Sequence, residues 1–130
     1  MKKLILISIL CLFAITGFSQ NSYYATQAIR GVYNRSQEKF IWDNPNKLNY
    51  MEITIKNNVI FVDDAAESSY TTFGRSIDET TTKGHYQVGW DALDENNIKC
   101  TVKLVTYKDG TIMLYVMYST VAFGYTLEKL

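Results

Sequence analysis

The stretch at residues 86–118, YQVGWDALDENNIKCTVKLVTYKDGTIMLYVMY, decides the fold class. Apolar and polar residues alternate along it in three runs, a pattern typical of strands that bury one face. Two short polar segments, at residues 94–96 and 108–110, separate the runs. The stretch therefore predicts two consecutive antiparallel hairpins.

Matching of apolar faces tests the register of the second hairpin. A three-residue loop at 108–110, closed by a glycine in the left-handed region, pairs Leu104 with Leu114. A two-residue loop would instead place Lys103 opposite Val116. Because a one-residue slip exchanges the two faces of a whole strand, the apolar match favours the longer loop.

The same reasoning at residues 94–96 predicts that Trp90 lies opposite Cys100 and that Asp91 lies opposite Lys99, a weak cross-strand ion pair. The two hairpins then share one apolar face. We predict that this face lines the core: Tyr86, Val88, Trp90, Cys100, Val102, Leu104, Leu114, Val116 and Tyr118.

Turn signals separate further alternating segments along the rest of the chain. We predict strands near residues 28–34, 39–43, 48–56, 59–63, 70–74, 85–93, 98–107, 111–118 and 123–127. The fold expected from them is all-β, an antiparallel up-and-down meander of about eight strands that forms a small barrel or a curved sandwich.

Three local points stay open in this prediction. Residues 22–32 could form a short helix instead of a strand, although Gly31 weakens that alternative. The turn at Asn57 and Asn58 permits two registers, with Ile55 opposite either Ile60 or Val59. The Thr-rich segment 75–83 is expected to be a mobile loop.

The first nineteen residues have the three parts of a secretory signal peptide. Lys2 and Lys3 precede an apolar run at 4–15, and Gly17 and Ser19 are small residues at the positions that a signal peptidase inspects. The run is shorter than the roughly 20 apolar residues that span a membrane. We therefore expect cleavage after Ser19, a single β domain at 20–130, and an exported protein, periplasmic or secreted.

Composition excludes several classes of function for the expected mature chain. Thirteen Lys and Arg residues balance thirteen Asp and Glu residues, and loss of Lys2 and Lys3 leaves a slight acidic excess. No basic field is present for nucleic acid. One His and one Cys outside the leader permit neither a common zinc site nor a disulfide within the mature chain.

Three runs, GVYNRSQEKFIWDNP (31–45), GWDALDENNIKCTV (89–102) and VMYSTVAFGY (116–125), carry a family resemblance. The chain resembles a group of small, exported, uncharacterised β-proteins of flavobacteria and their relatives, over nearly the whole mature length. The matching motifs are those of strands and turns. The resemblance therefore implies a compact β fold and an export signal, and it implies no activity.

No constellation of residues predicts catalysis, a cofactor or a metal. Cys100 and His85 are the one possible thiol–imidazole pair, and the predicted register places them on opposite faces, with His85 opposite Val105. The acidic pairs lack the spacing and the central glycine of a calcium-binding loop. We therefore expect a protein that is not an enzyme.

The back of the last hairpin differs from an ordinary polar surface. Its apolar residues alternate with those of the predicted core face, so other strands cover them, a partner covers them, or they line a ligand site. Trp42 is either a second binding anchor or a rim residue that caps the core. The predicted interaction surface consists of Val105, Tyr107, Met113, Tyr115, Met117 and Trp42.

This surface suggests an interaction module that presents strand-borne aromatic side chains to a protein or a glycan. The alternative is a small-molecule carrier of the lipocalin-like barrel type, because an eight-stranded barrel can hold one small ligand. The large side chains of the predicted core face argue against an empty barrel interior.

Overall fold

The computed structural model describes residues 20–64 and 67–129, so the predicted signal peptide at 1–19 lies outside the described residues. Within these two ranges the chain has no helix, and hence none that could cross a membrane. The strands are β1 (Gln20–Asn34), β2 (Lys39–Trp42), β3 (Asn46–Lys56), β4 (Val59–Val62), β5 (Ser68–Thr80), β6 (Tyr86–Asp94), β7 (Lys99–Thr106), β8 (Ile112–Met117) and β9 (Val121–Lys129).

Eight of these strands close into a barrel. Strands β3 to β9 follow one another as antiparallel neighbours, and β1 pairs with both β3 and β9. The short β2 lies outside this ring and pairs with the C-terminal end of β1, at residues 31–34. The predictions of an all-β fold and an up-and-down meander are confirmed, and of the two predicted architectures the structure is the barrel.

Residues 22–32 form part of β1, so the helical alternative is wrong. Tyr23 and Ala25, two positions apart, both point into the core and are 6% and 0% exposed. An irregularity between Ala25 and Gln27 shifts the register by two residues against β3 and by one residue against β9. Pairing with two neighbours outweighs the four-residue spacing that had suggested a helix.

The turn at 108–110 has the predicted form. Leu104 lies opposite Leu114, and Gly110 has a φ of 93°. At Asn57 (φ 54°) the structure adopts the first of the two predicted registers, with Ile55 opposite Ile60.

The predicted pairing of β6 with β7 is wrong by two residues. The loop consists of residues 95–97, and Asn97, with a φ of 61°, takes the left-handed position. Asp94 closes the turn, because its Oδ1 accepts from the backbone N–H groups of Asn96 and Ile98 at 2.9 and 2.8 Å. Trp90 therefore lies opposite Val102.

The same shift moves two predicted partners on the reverse face. Asp91 lies opposite Thr101, so the predicted ion pair with Lys99 does not form there. Gln87, and not His85, lies opposite Val105. A shift of two leaves every side chain on its predicted face.

Two further predictions are corrected at the end of the barrel nearest residue 80. Residues 75–80, expected in a mobile loop, belong to β5, which continues to Thr80 after a bulge between Phe73 and Ile77. Tyr86 was expected in the core but is 45% exposed, because it opens β6 at the edge of the packed interior.

Large apolar side chains fill the inside of the barrel. The largest that are less than 2% exposed are Ile53, Ile60, Val62, Val102, Leu114 and Val116. Cys100 is buried as predicted, at 3% exposure, and burial raises the pKa of its thiol to about 11. The thiol is therefore neutral at pH 7 and packs as a small apolar group.

Asp94 links stability to pH at one rim of the barrel. Its partial desolvation alone would raise its pKa, but hydrogen bonds from the Ile98 N–H, the Tyr118 hydroxyl (2.8 Å) and the Asn96 N–H lower it. A carboxyl with a lowered folded pKa stabilises the protein above its unfolded pKa of about 3.9, and this stabilisation is lost as the pH falls through the folded pKa.

We expect Tyr118→Phe to lower the free energy of unfolding at neutral pH and to lower it less in acid, once the pH falls through the lowered pKa of Asp94 and the carboxyl is protonated in the folded protein. Urea unfolding of both proteins across this range measures the difference. A difference that is the same at every pH would contradict a bond between the hydroxyl and the charged carboxylate.

Candidate functional site: an aromatic strip on the outside of the barrel

The predicted interaction surface lies on the outer face of β7 and β8. Leu114 and Val116 point inward and are fully buried, so Tyr115 between them points outward. The outward residues of both strands are apolar along much of their length. Val105 lies opposite Met113 on this face, as predicted.

Trp42 reaches this face from β2, across β1. It lies opposite Gly31, and a Cβ atom at position 31 would be 2.9 Å from the indole ring. The ring centroids of Trp42 and Tyr115 are 5.7 Å apart. Trp42 therefore packs on the outside of the barrel, and the interpretation that it caps one end of the core is wrong.

Two more rings extend the contact along β1 and β2. Phe40 lies 6.0 Å from Trp42 and 5.4 Å from Tyr33, measured between ring centroids. Sequence reasoning did not place Tyr33 at this surface, because its position depends on the pairing of β1 with β2. We call Tyr33, Phe40, Trp42, Tyr107 and Tyr115 the aromatic strip.

Gly124 forms the floor under Tyr115. A Cβ atom at this position would be 2.9 Å from Cγ1 of Ile29 and 3.1 Å from Cε1 of Tyr115. Sequence reasoning also missed Gly31 and Gly124 as parts of the site. The available signal was a glycine within a strand, which often marks a close approach of another group.

A chain of hydrogen bonds fixes the far end of the strip. The hydroxyl of Tyr115 donates to Sδ of Met113 at 3.2 Å, so the hydroxyl of Tyr107, 2.6 Å away, donates to Tyr115. Burial, and then the bond with Tyr107, raises the pKa of Tyr115. The hydroxyl of Tyr115 is therefore neutral at physiological pH, and the hydrogen bonds hold the two rings in fixed positions.

His85 adjoins the strip through Tyr107. The two ring centroids are 4.8 Å apart, and Nδ1 of His85 accepts from the backbone N–H of Lys108 at 3.1 Å. The proton of a neutral imidazole then resides on Nε2. Cys100 lies inside the barrel, so the structure does not bring the thiol and the imidazole together.

A shallow cleft of about 330 Å³ runs beside the strip. Its lining combines aromatic side chains with the polar side chains of Lys103, Gln87 and Thr81, and Lys103 lies directly beside Tyr115 on the neighbouring strand. In the part of the chain that the structure describes, Lys103 makes no ion pair. The full lining is Trp42, Thr81, His85, Gln87, Lys103, Val105, Tyr107, Tyr115 and Met117.

The structure brings all six predicted surface residues into one region, with different exposure. Trp42 is 37% exposed, whereas Val105 is only 6% exposed and forms the base of the cleft. Tyr107, Met113, Tyr115 and Met117 are half-buried. The strand β2 therefore covers part of the surface and leaves the cleft open.

The described residues contain no group of three His, Cys, Asp or Glu side chains that could hold a metal ion. The cleft can offer aromatic faces together with hydrogen-bond donors and one cation.

No family model, curated protein or solved structure matches the chain.

Proposed function

We propose that this chain is an exported, non-enzymatic binding module and that its ligand is a carbohydrate bound in the cleft beside the aromatic strip. The signal-like residues 1–19 support export, as does the resemblance to exported flavobacterial β-proteins. The observation that carries the proposal is that Trp42 and Tyr115, whose rings are in contact, line the cleft together with the polar side chains of Lys103 and Gln87.

A sugar ring suits such a site on chemical grounds. It has an apolar face of C–H groups and a rim of hydroxyls, so it can contact an aromatic wall and hydrogen-bond with polar side chains at once. Binding sites for small ligands commonly combine mostly apolar walls with a few placed polar groups. The fixed rings of Tyr107 and Tyr115 lose little conformational entropy when a ligand binds.

Isothermal titration of the chain from residue 20 onward with cellohexaose, chitohexaose and oligogalacturonate tests the proposal. We expect at least one of them to bind, and Trp42→Ala to weaken that binding about tenfold or more, as loss of a central aromatic contact does. The matched control is Phe61→Ala, since Phe61 is an aromatic residue of β4 that is 50% exposed.

Binding that survives Trp42→Ala would contradict the assignment of the site. Absence of binding for all three oligosaccharides would contradict the assignment of a carbohydrate. Equal weakening by Phe61→Ala would indicate a general effect on the protein and not a contact in the cleft.

The closed eight-stranded barrel favours a second function, that of a lipocalin-like carrier. The packing inside the barrel opposes it, because the side chains of Leu114, Val102 and Ile53 occupy the interior and are fully buried. Native mass spectrometry of the undenatured protein distinguishes the two functions. A retained apolar molecule, unaffected by Trp42→Ala, would favour the carrier.

A further inference from the structure

The outer edge of β2 is a free sheet edge. β2 is the last strand in the sheet order, and in the described part of the chain it pairs with β1 alone. An open edge presents unpaired backbone donors and acceptors to another strand. Four large apolar side chains on this hairpin also remain exposed: Val32, Tyr33, Ile41 and Trp42.

Two backbone hydrogen bonds show which way each residue of the hairpin points. The N–H of Asp43 donates to the carbonyl oxygen of Arg30 at 2.8 Å, toward β1. The N–H of Tyr33 donates to the carbonyl oxygen of Thr120 at 2.9 Å, away from β2. Both bonds give the same alternating orientation of the backbone N–H and C=O groups along β1 and β2.

This alternation determines which backbone groups of β2 point away from β1, toward the open edge. Backbone groups of successive residues point to opposite sides of a strand. Since Asp43 points toward β1, so does Ile41, and Phe40 and Trp42 point their N–H and C=O groups outward. The edge therefore presents two donors and two acceptors, spaced as one antiparallel partner strand requires.

We propose that two copies of this chain pair through their β2 edges, antiparallel and about a two-fold axis at Ile41. Residues directly opposite each other share a face of the sheet. With Ile41 opposite its own copy, Phe40 lies opposite Trp42 of the second copy, and aromatic side chains meet on one face. All four outward backbone groups of each edge are then paired.

Charge complementarity supports this register. It places Lys39 of each copy opposite Asp43 of the other, so two ion pairs flank the axis. These positions form non-hydrogen-bonded pairs, in which the Cα atoms are only about 4.5 Å apart. β2 ends at Trp42, so the pairing does not extend beyond these residues.

The interface of this dimer is small, so the association is weak. Pairing of one short strand adds about four backbone hydrogen bonds, so we expect a dissociation constant on the order of micromolar. The inference does not depend on a carbohydrate ligand, because the pairing uses the backbone of β2 and the charges at its ends. The dimer would join the two aromatic strips into one longer surface.

Sedimentation velocity on the chain from residue 20 onward, with reductant present and over about 1 µM to 1 mM, tests the dimer. We expect a concentration-dependent dimer. Lys39→Asp and Asp43→Lys should each weaken it about tenfold, because each replaces two attractions with two repulsions. The double variant K39D/D43K should restore it.

Lys56→Asp is the matched control, because it makes the same change of charge at an exposed position of β3, away from the edge. A monomer at every concentration would overturn the proposal. So would a dimer that neither single variant weakens, or single variants whose loss the double variant does not restore.

Discussion

Leu114→Ala is expected to lower the free energy of unfolding by about 2–5 kcal/mol. Leu114 is fully buried at the centre of β8, between Leu104 on β7 and Tyr125 on β9. Removal of its side chain loses buried apolar surface and leaves a cavity, because a closed ring of strands cannot collapse around it. Urea unfolding followed by circular dichroism measures the loss.

The neighbouring Met113→Ala is the control, since Met113 points to the outer face and is half-buried. We expect it to cost less than half as much. Equal losses would mean that the inner face is not the main source of stability. Such a result would contradict the filled barrel interior, which is the reason for favouring a binding module over a carrier.

Gly124→Ala is expected to cost about 1–3 kcal/mol, as overpacking of a tightly packed site does. The added methyl group would come within 2.9 Å of Ile29 and 3.1 Å of Tyr115, both on neighbouring strands. Gly31→Ala should cost less but should displace the indole of Trp42, whose atoms lie 2.9–3.1 Å from the added group. Thermal unfolding and the near-ultraviolet circular dichroism spectrum report the two effects.

Gly89→Ala is the matched control for both. Gly89 is also a strand glycine of the outer face, but the nearest contact of an added methyl group is Cγ of Lys103 at 3.7 Å. We expect a change within about 0.5 kcal/mol of zero. If all three variants cost the same, loss of glycine itself, and not contact with the aromatic rings, explains the effect.

The sequence was sufficient for the fold class and for the inner and outer faces. Alternation along β6, β7 and β8 identified the inward side chains, and Gly110 fixed one turn. The pairing of β6 with β7 was not predictable by the same method. Registers that differ by two residues match apolar faces equally well, and the choice depended on Asn97 adopting the left-handed conformation.

The candidate site was predictable only in part, because it joins distant segments of the chain. The alternation of Met113, Tyr115 and Met117 indicated an unusual outer face, and Trp42 was recognised as a possible anchor. Their contact depends on closure of the barrel between β1 and β9, which brings β2 close to β8. Closure is a property of the whole sheet, and no local pattern encodes it.

The most direct test of the proposed carbohydrate site uses the two indole N–H signals in a ¹H–¹⁵N NMR spectrum of the chain from residue 20 onward. Trp42 is part of the strip, and Trp90 packs against the core. Titration with the oligosaccharide that binds should shift the Trp42 signal, assigned with Trp42→Phe, and leave the Trp90 signal in place. A shift of Trp90 without Trp42 would contradict the account and point to a ligand inside the barrel.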